Sequence, residues 1–175
     1  MTENALSTKW SSTSMVNSWV VEITSYKVTL AFEPGKFIVS ESGYFLTSVN
    51  AIKQTTSTVF AQVDTGFNHL IRPMLYGSQH AIENISNLKG KQRFYSVVGY
   101  IYETDTFANN QRINKITEGD ILVFKNAGAY CFMIASNYNS SFRPAEVLWY
   151  NDTAHLIRKR EVFEDLTKNQ LLIDL

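Results

Sequence analysis

The sequence predicts a mainly β fold, an antiparallel barrel or sandwich. Short runs rich in β-branched and aromatic residues recur along the chain, Gly, Asn, Asp or Pro stands between them, and helical periodicity is scarce. Of 175 residues, 45% are apolar and 13% aromatic, which suffices for one core of ordinary size and not for two large domains.

Residues 1–17 are polar and Ser/Thr-rich, carry little hydrophobic pattern, and are expected to be mobile or loosely docked. Order is expected to begin near Trp19. "WVVEIT" and "YKVTLAF" are strand-like, and the second runs into "FEPGKF", residues 32–37, where a carboxylate, a rigid ring, a glycine and a cation are consecutive. Strands are then expected at "GYFLTSVNAIKQ", "STVFAQVDTG", "RFYSVVGYIYE", "GDILVFKNAG", "AYCFMIASNY", "AEVLWYN" and "AHLIRKRE". A helical turn or two is expected around Pro73 in "HLIRPMLYGSQHAI", and "REVFEDLTKNQLL" reads as a short amphipathic helix. Neither an internal repeat nor a Gly/Ser linker divides the chain.

Sixteen basic residues balance sixteen acidic ones, so no long-range field draws the chain to nucleic acid or to an anionic membrane. Any charged ligand must be held locally. The single cysteine, Cys131, forbids an intramolecular disulfide and leaves a Cys/His metal cluster without thiolates, so no metal site is expected. No apolar run reaches the ~18 residues of a membrane span, and the amino terminus lacks a signal-peptide stretch. The expectation is a soluble cytoplasmic protein.

Three polar clusters are candidates for chemistry. In "VDTGFNHLIRPMLYGSQH", residues 63–80, Arg72 and Tyr76 are four apart, so one helical turn places a guanidinium fork and a phenol on one side. That pair suits a carboxylate, though an exposed arginine beside a half-buried tyrosine has the same spacing. His69 and His80 read as ordinary surface or packing histidines. In "GYIYETDTFANN", Glu103 and Asp105 follow a strand end, where acids do acid/base or ammonium-binding work or simply make a polar turn. In "GDILVFKNAGAYCFMIASNYN", small residues allow close backbone approach before Tyr130, itself a site residue or a core tyrosine. Composition and spacing carry the reading no further.

Read in order, "EPGKFIV", "VDTGFNHLIRPMLYGSQH", "VVGYIYETDTFA", "GDILVFKNAGAYCFMIASNYNS", "RPAEVLWYND" and the closing "IRKREVFEDL" resemble the C-terminal part of the pyridoxal-phosphate decarboxylases of the ornithine/diaminopimelate type, the diaminopimelate branch above all. The resemblance covers roughly residues 27–166. It implies a Greek-key-like β-barrel domain over 41–175, a remnant of an α/β barrel's last strand over 27–40, an unpatterned segment over 1–26 and a short C-terminal helix.

The family's "EPGR" ends the barrel strand that holds the cofactor. By match, Glu33 faces the pyridine nitrogen of pyridoxal phosphate, while Gly35 and Lys36 approach its phosphate; Lys36 replaces an arginine and loses the planar fork. "RPxxY" makes Arg72 and Tyr76 the grip on the distal end of an amino-acid substrate. Glu103 matches the glutamate of the family's "CES" motif, which crosses a dimer interface to bind the distal ammonium. Tyr130, from "GAY", contacts the cofactor.

Two departures qualify the match. Tyr102 stands where the family has the cysteine that acts as an acid near the reacting carbon, and a phenol of pKa ~10 is larger and reaches a different point. No counterpart of the family's Schiff-base lysine, ring-stacking histidine or glycine-rich phosphate turn is found in residues 1–26, and an eight-stranded barrel takes about 200 residues or more. The resemblance therefore implies a decarboxylase site completed by a barrel domain on another stretch of polypeptide, in a homo- or hetero-oligomer. The alternatives are a non-catalytic docking or regulatory β domain and a free-standing β-barrel carrier.

Overall fold

The computed structural model describes residues 34–102 and 104–173. Six strands form one sheet: β1 (Phe45–Gln54), β2 (Val59–Val63), β3 (Ile82–Asn84), β4 (Gln92–Val98), β5 (Thr106–Asn114) and β6 (Ile121–Phe124). Their order is β3-β6-β1-β2-β4-β5. The outer strands β3 and β5 also approach one another, so the sheet curls into a nearly closed barrel. A separate hairpin joins β7 (Glu146–Tyr150) and β8 (Thr153–Arg158).

Alternation builds the core. Thr47 and Val49 of β1, and Ala61 and Val63 of β2, turn inward. They meet Tyr95, Val97, Phe107, Ile113, Leu122 and Phe124. The Phe124 ring packs edge-on against Phe107 at 5.2 Å and Phe45 at 6.0 Å between centroids. Tyr95 is almost fully buried, and its hydroxyl accepts the Ile116 backbone N–H at 3.0 Å, which satisfies both groups.

The expected mainly β barrel is present, with differences in detail. β2 and β4 are parallel, because the chain leaves Val63, lays β3 beside β6 and re-enters in the same direction. "AYCFMIASNY" is not a strand. Tyr130 has a left-handed φ of 53° and Phe132–Ile134 form one 3₁₀ turn, so the chain turns at that point. β3 and β5 carry no sequence expectation: one is three residues long, and the other is mostly polar on its outer face.

Among the described residues three short α-helices accompany the sheet: α1 (Gly35–Val39), α2 (Arg72–Tyr76) and α3 (Phe163–Thr167). α2 matches the turn expected at Pro73; Gly77 ends it at φ 62°, and the Ser78 N–H reaches back to the Arg72 carbonyl at 3.3 Å. α3 is the expected C-terminal helix at a single turn, its start closed by Val162 N–H donating to Asp165 at 3.0 Å. The segment expected to be a strand remnant over 27–40 is helical from Gly35 to Val39; its earlier part lies outside the described residues.

Candidate functional site

Two segments far apart in sequence are clamped together. Gly128 N–H donates to Ser40 O at 2.9 Å, Ala127 N–H to Gly43 O at 2.8 Å, and the Ser40 hydroxyl to Asn126 O at 3.1 Å. The approach needs missing side chains. A Cβ on Gly128 would stand 1.9 Å from Val39 O, and one on Gly43 would stand 2.4 Å from Gly128 Cα. The small residues of "NAGAY" thus permit the close backbone contact expected of them. In consequence the Tyr130 hydroxyl lies beside Gly35, 3.6 Å from where a Cβ would be built there. Gly35 of "EPGK" and Tyr130 of "GAY" share one place in the fold.

Arg72 sits at the start of α2, only 6% exposed. Its Nη2 donates to Ser78 Oγ at 3.1 Å, and its Nε is buried with no hydrogen-bond partner. Among the described residues neither Arg72 nor Lys36 is ion-paired; the ion pairs join Lys125 to Glu83, Arg143 to Glu161, Arg158 to Glu146 and Lys168 to Asp165. Both cations are felt at the ring of His80, whose pKa burial pulls below its usual 6.5, with Arg72 and Lys36 adding to the pull. The Arg72 charge also reaches Cys131: burial pushes that thiol up to about 11, against a smaller downward pull from the guanidinium.

Gly35, Lys36, Arg72, Tyr130, Cys131 and His80 therefore form one neighbourhood. Its donors are a lysine, an unpaired buried guanidinium and a phenol, a set suited to phosphate or carboxylate. Cavities of about 260 and 320 Å³ lie at the β3–β5 seam and beside the β2–β4 pair, and neither is lined by any of these residues.

Other expected residues stand apart. Tyr76 ends α2 with its side chain exposed. Tyr102 is wholly exposed, at 101%, in the loop between β4 and β5. Glu33 and Glu103 lie outside the described residues. Asp105 is a buried bracket for its loop: its carboxylate accepts Phe67 N–H at 2.7 Å and Ile101 N–H at 2.8 Å. Of the two meanings open for an acid past a strand end, Asp105 takes the structural one.

His69 and His80 are both buried, whereas His155 on β8 is exposed. His69 bridges Thr65 Oγ1, at 2.8 Å from Nδ1, and Phe142 O, at 3.0 Å from Nε2. It is a packing histidine, as expected. His80 and Ser78 carried no functional expectation, since a lone histidine or serine has no spacing signature. The sequence signal available was their position just after "RPMLYG".

The fold is that of a mainly β domain with a nearly closed, six-stranded barrel-like sheet. The family model for the pyridoxal-dependent decarboxylase C-terminal sheet domain matches residues 36–128, and the chain belongs to that family. It is 43% identical over 143 residues to the diaminopimelate decarboxylase of Methanothermobacter thermautotrophicus, spanning 81% of this chain and 33% of that relative. The diaminopimelate decarboxylase structure from M. jannaschii superposes with a TM-score of 0.73 at 33% identity, over 79% of this chain and 32% of that one. That from Helicobacter pylori, complexed with L-lysine, gives 0.71 at 37% identity, over 78% and 34%. The chain thus spans about a third of the relatives it matches. No helix among the described residues is long and apolar enough to cross a membrane.

Proposed function

We propose that this chain forms the C-terminal part of a pyridoxal-phosphate-dependent amino-acid decarboxylase in the cytoplasm, its site completed by a barrel domain that carries the Schiff-base lysine. The observation that carries this is Arg72, a buried guanidinium with no carboxylate partner among the described residues, whose charge is felt at Cys131, next in sequence to the Tyr130 that lies beside Gly35. A cation held inside a protein without a counter-charge is costly unless a ligand supplies one. Membership of a pyridoxal-dependent family supports the cofactor, and relatives named for diaminopimelate support a substrate of that class.

In this reading Gly35 and Lys36 hold the cofactor phosphate, Tyr130 donates to the same end, and Glu33 keeps the ring nitrogen protonated. When bound, the cofactor supplies the electron sink for the charge left as carbon dioxide departs. Arg72, fixed through Ser78, holds the distal carboxylate of a meso-diaminopimelate-like substrate, with Tyr76 beside it. Glu103 takes the distal ammonium. Tyr102, wholly exposed, is available to enter a neighbouring chain's site, where its phenol replaces a thiol as proton donor to the substrate carbon.

The test mixes this chain with the barrel portion of a diaminopimelate decarboxylase, adds pyridoxal phosphate and measures carbon dioxide released from meso-diaminopimelate. Release is expected, and Arg72→Gln should raise KM about 30-fold or more, the effect of losing a charge-assisted bidentate contact. A stable complex that releases none would favour the docking module instead.

A further inference from the structure

Among the described residues, two buried nitrogens in this neighbourhood have no hydrogen-bond partner, Arg72 Nε and His80 Nε2. Their hydrogen-bonding needs are opposite. His80 Nδ1 lies 2.8 Å from Lys125 O, and a carbonyl only accepts, so Nδ1 carries the proton. The other ring nitrogen then presents a bare lone pair, inside the protein, at a residue 5% exposed. Arg72 Nε–H is a donor that cannot lose its proton. Arg72 is tied to Ser78, two residues before His80, and its charge is felt at the His80 ring, so this buried donor and buried acceptor are complementary, and the smallest group that accepts from one and donates to the other is water.

We propose that His80 is a positioning residue for Arg72: through buried water, its Nε2 lone pair takes up the Arg72 Nε–H, and with Ser78 at Nη2 it fixes the plane of the guanidinium. Ser78 and His80 are alternate residues on the stretch that leads from α2 into β3, so one short segment grips both sides of the fork. The neutral imidazole suits the task. An imidazolium there would add a third positive charge and turn the acceptor into a donor facing a donor. The inference takes its functional meaning from the reading of Arg72 as the substrate's anchor, but its structural content stands separately.

The experiment uses the 175-residue chain, ¹⁵N-labelled. Ring-nitrogen shifts should show His80 as the Nδ1-protonated neutral tautomer, and the Arg72 Nε–H signal should exchange slowly with solvent. Two substitutions divide the roles of the ring. Asparagine places its amide where Nδ1 is, so His80→Asn keeps the Lys125 contact and loses the inner acceptor; glutamine reaches the position of Nε2, so His80→Gln keeps an acceptor there. His80→Asn should speed Arg72 Nε–H exchange about tenfold, the loss of one hydrogen bond, while His80→Gln stays near wild type. A purely structural histidine predicts the reverse order and overturns the proposal, as does equal exchange in both variants. If both variants unfold, an Nε2-protonated tautomer in the wild-type chain is still sufficient to reject it. In the reconstituted enzyme His80→Asn should raise KM with kcat little changed. If Arg72→Gln leaves KM untouched while the tautomer and exchange results hold, the substrate assignment falls and the positioning role stands.

Discussion

The clamp between residues 39–43 and 126–128 gives the sharpest stability prediction. Gly128→Ala puts a Cβ 1.9 Å from Val39 O and 2.9 Å from Gly43 N, both backbone atoms that no rotamer change can move. The segments must separate, and with them go three hydrogen bonds: Gly128 N–H to Ser40 O, Ala127 N–H to Gly43 O, and Ser40 Oγ–H to Asn126 O. At about 1 kcal/mol net for each, the loss is about 3 kcal/mol. For a chain of this size that lowers Tm by roughly 6–12 °C. The control is Gly119→Ala, where φ is 84° and nothing lies within 4 Å, so only backbone strain of about 1 kcal/mol applies. Urea unfolding followed by circular dichroism should show Gly128→Ala with a clearly lower midpoint than the control at an unchanged slope. Equal shifts in the two variants, or a Gly128→Ala change within about 0.5 kcal/mol of wild type, would refute the clamp.

Three further outcomes follow from buried groups. Asp105→Ala leaves the Phe67 and Ile101 N–H groups without an acceptor and should cost about 3 kcal/mol in urea unfolding. Stability should also fall on acidification in two stages. Burial depresses the pKa of His69 and His80, so the unfolded chain binds protons first as pH drops below about 6.5, and the native state loses ground from there to the folded pKa values. Burial raises Asp120 and Glu161, but hydrogen bonds from Thr117 and Asn84, and from Arg143 and Asn137, outweigh it and lower both, so a second loss comes as pH falls through the carboxylate range. Urea midpoints at pH 7.5, 5.5 and 3.5 check the order, and a midpoint that rises from pH 7.5 to 5.5 contradicts it. Cys131, with its thiol pushed up to about 11 and buried, should react with a disulfide reagent only after urea is added; rapid labelling of the native chain would show that the thiol is open.

The elements legible in the sequence were those whose chemistry is local. β1, β2, β4, β6 and the β7–β8 hairpin announce themselves by β-branched and aromatic runs, and α2 by Pro73 and Gly77. β5 was illegible because its sequence, "TFANNQRIN", buries little beyond Phe107 and Ile113; its partner β4 makes it a strand. "AYCFMIASNY" misleads for the opposite reason. It has strand composition, but the clamp at Gly128 and the left-handed Tyr130 redirect it. The site shows the same division. Gly35 and Tyr130 are distant in sequence, so neither composition nor period could join them; the motif series placed them together, and the clamp explains how. His80 had no local signal because what singles it out, a bare nitrogen in a buried place, exists only after folding.

The β7–β8 hairpin was legible as strands, but its apolar side chains are not core: Val147, Leu148, Trp149, Tyr150, Leu156 and Ile157 are all exposed, Trp149 at 67%. A two-stranded ribbon is marginal in water on its own. Here Glu161 anchors its base, accepting Arg143 N–H at 2.8 Å and Asn137 Nδ2–H at 2.5 Å, while the Arg158 guanidinium lies 4.1 Å from the Phe132 ring centroid. Those contacts fix one end and leave the apolar faces uncovered. A chain spanning a third of its relatives' length has a ready reason for such a surface. The proposed assembly therefore predicts that binding the barrel portion shields the hairpin: Trp149 emission should shift to shorter wavelength, and Trp149→Ala should weaken association about tenfold or more, as a central aromatic anchor does. Association that proceeds with Trp149 still accessible to a soluble quencher would place the interface elsewhere. The Arg72 neighbourhood would then need its missing wall from a different face of the domain.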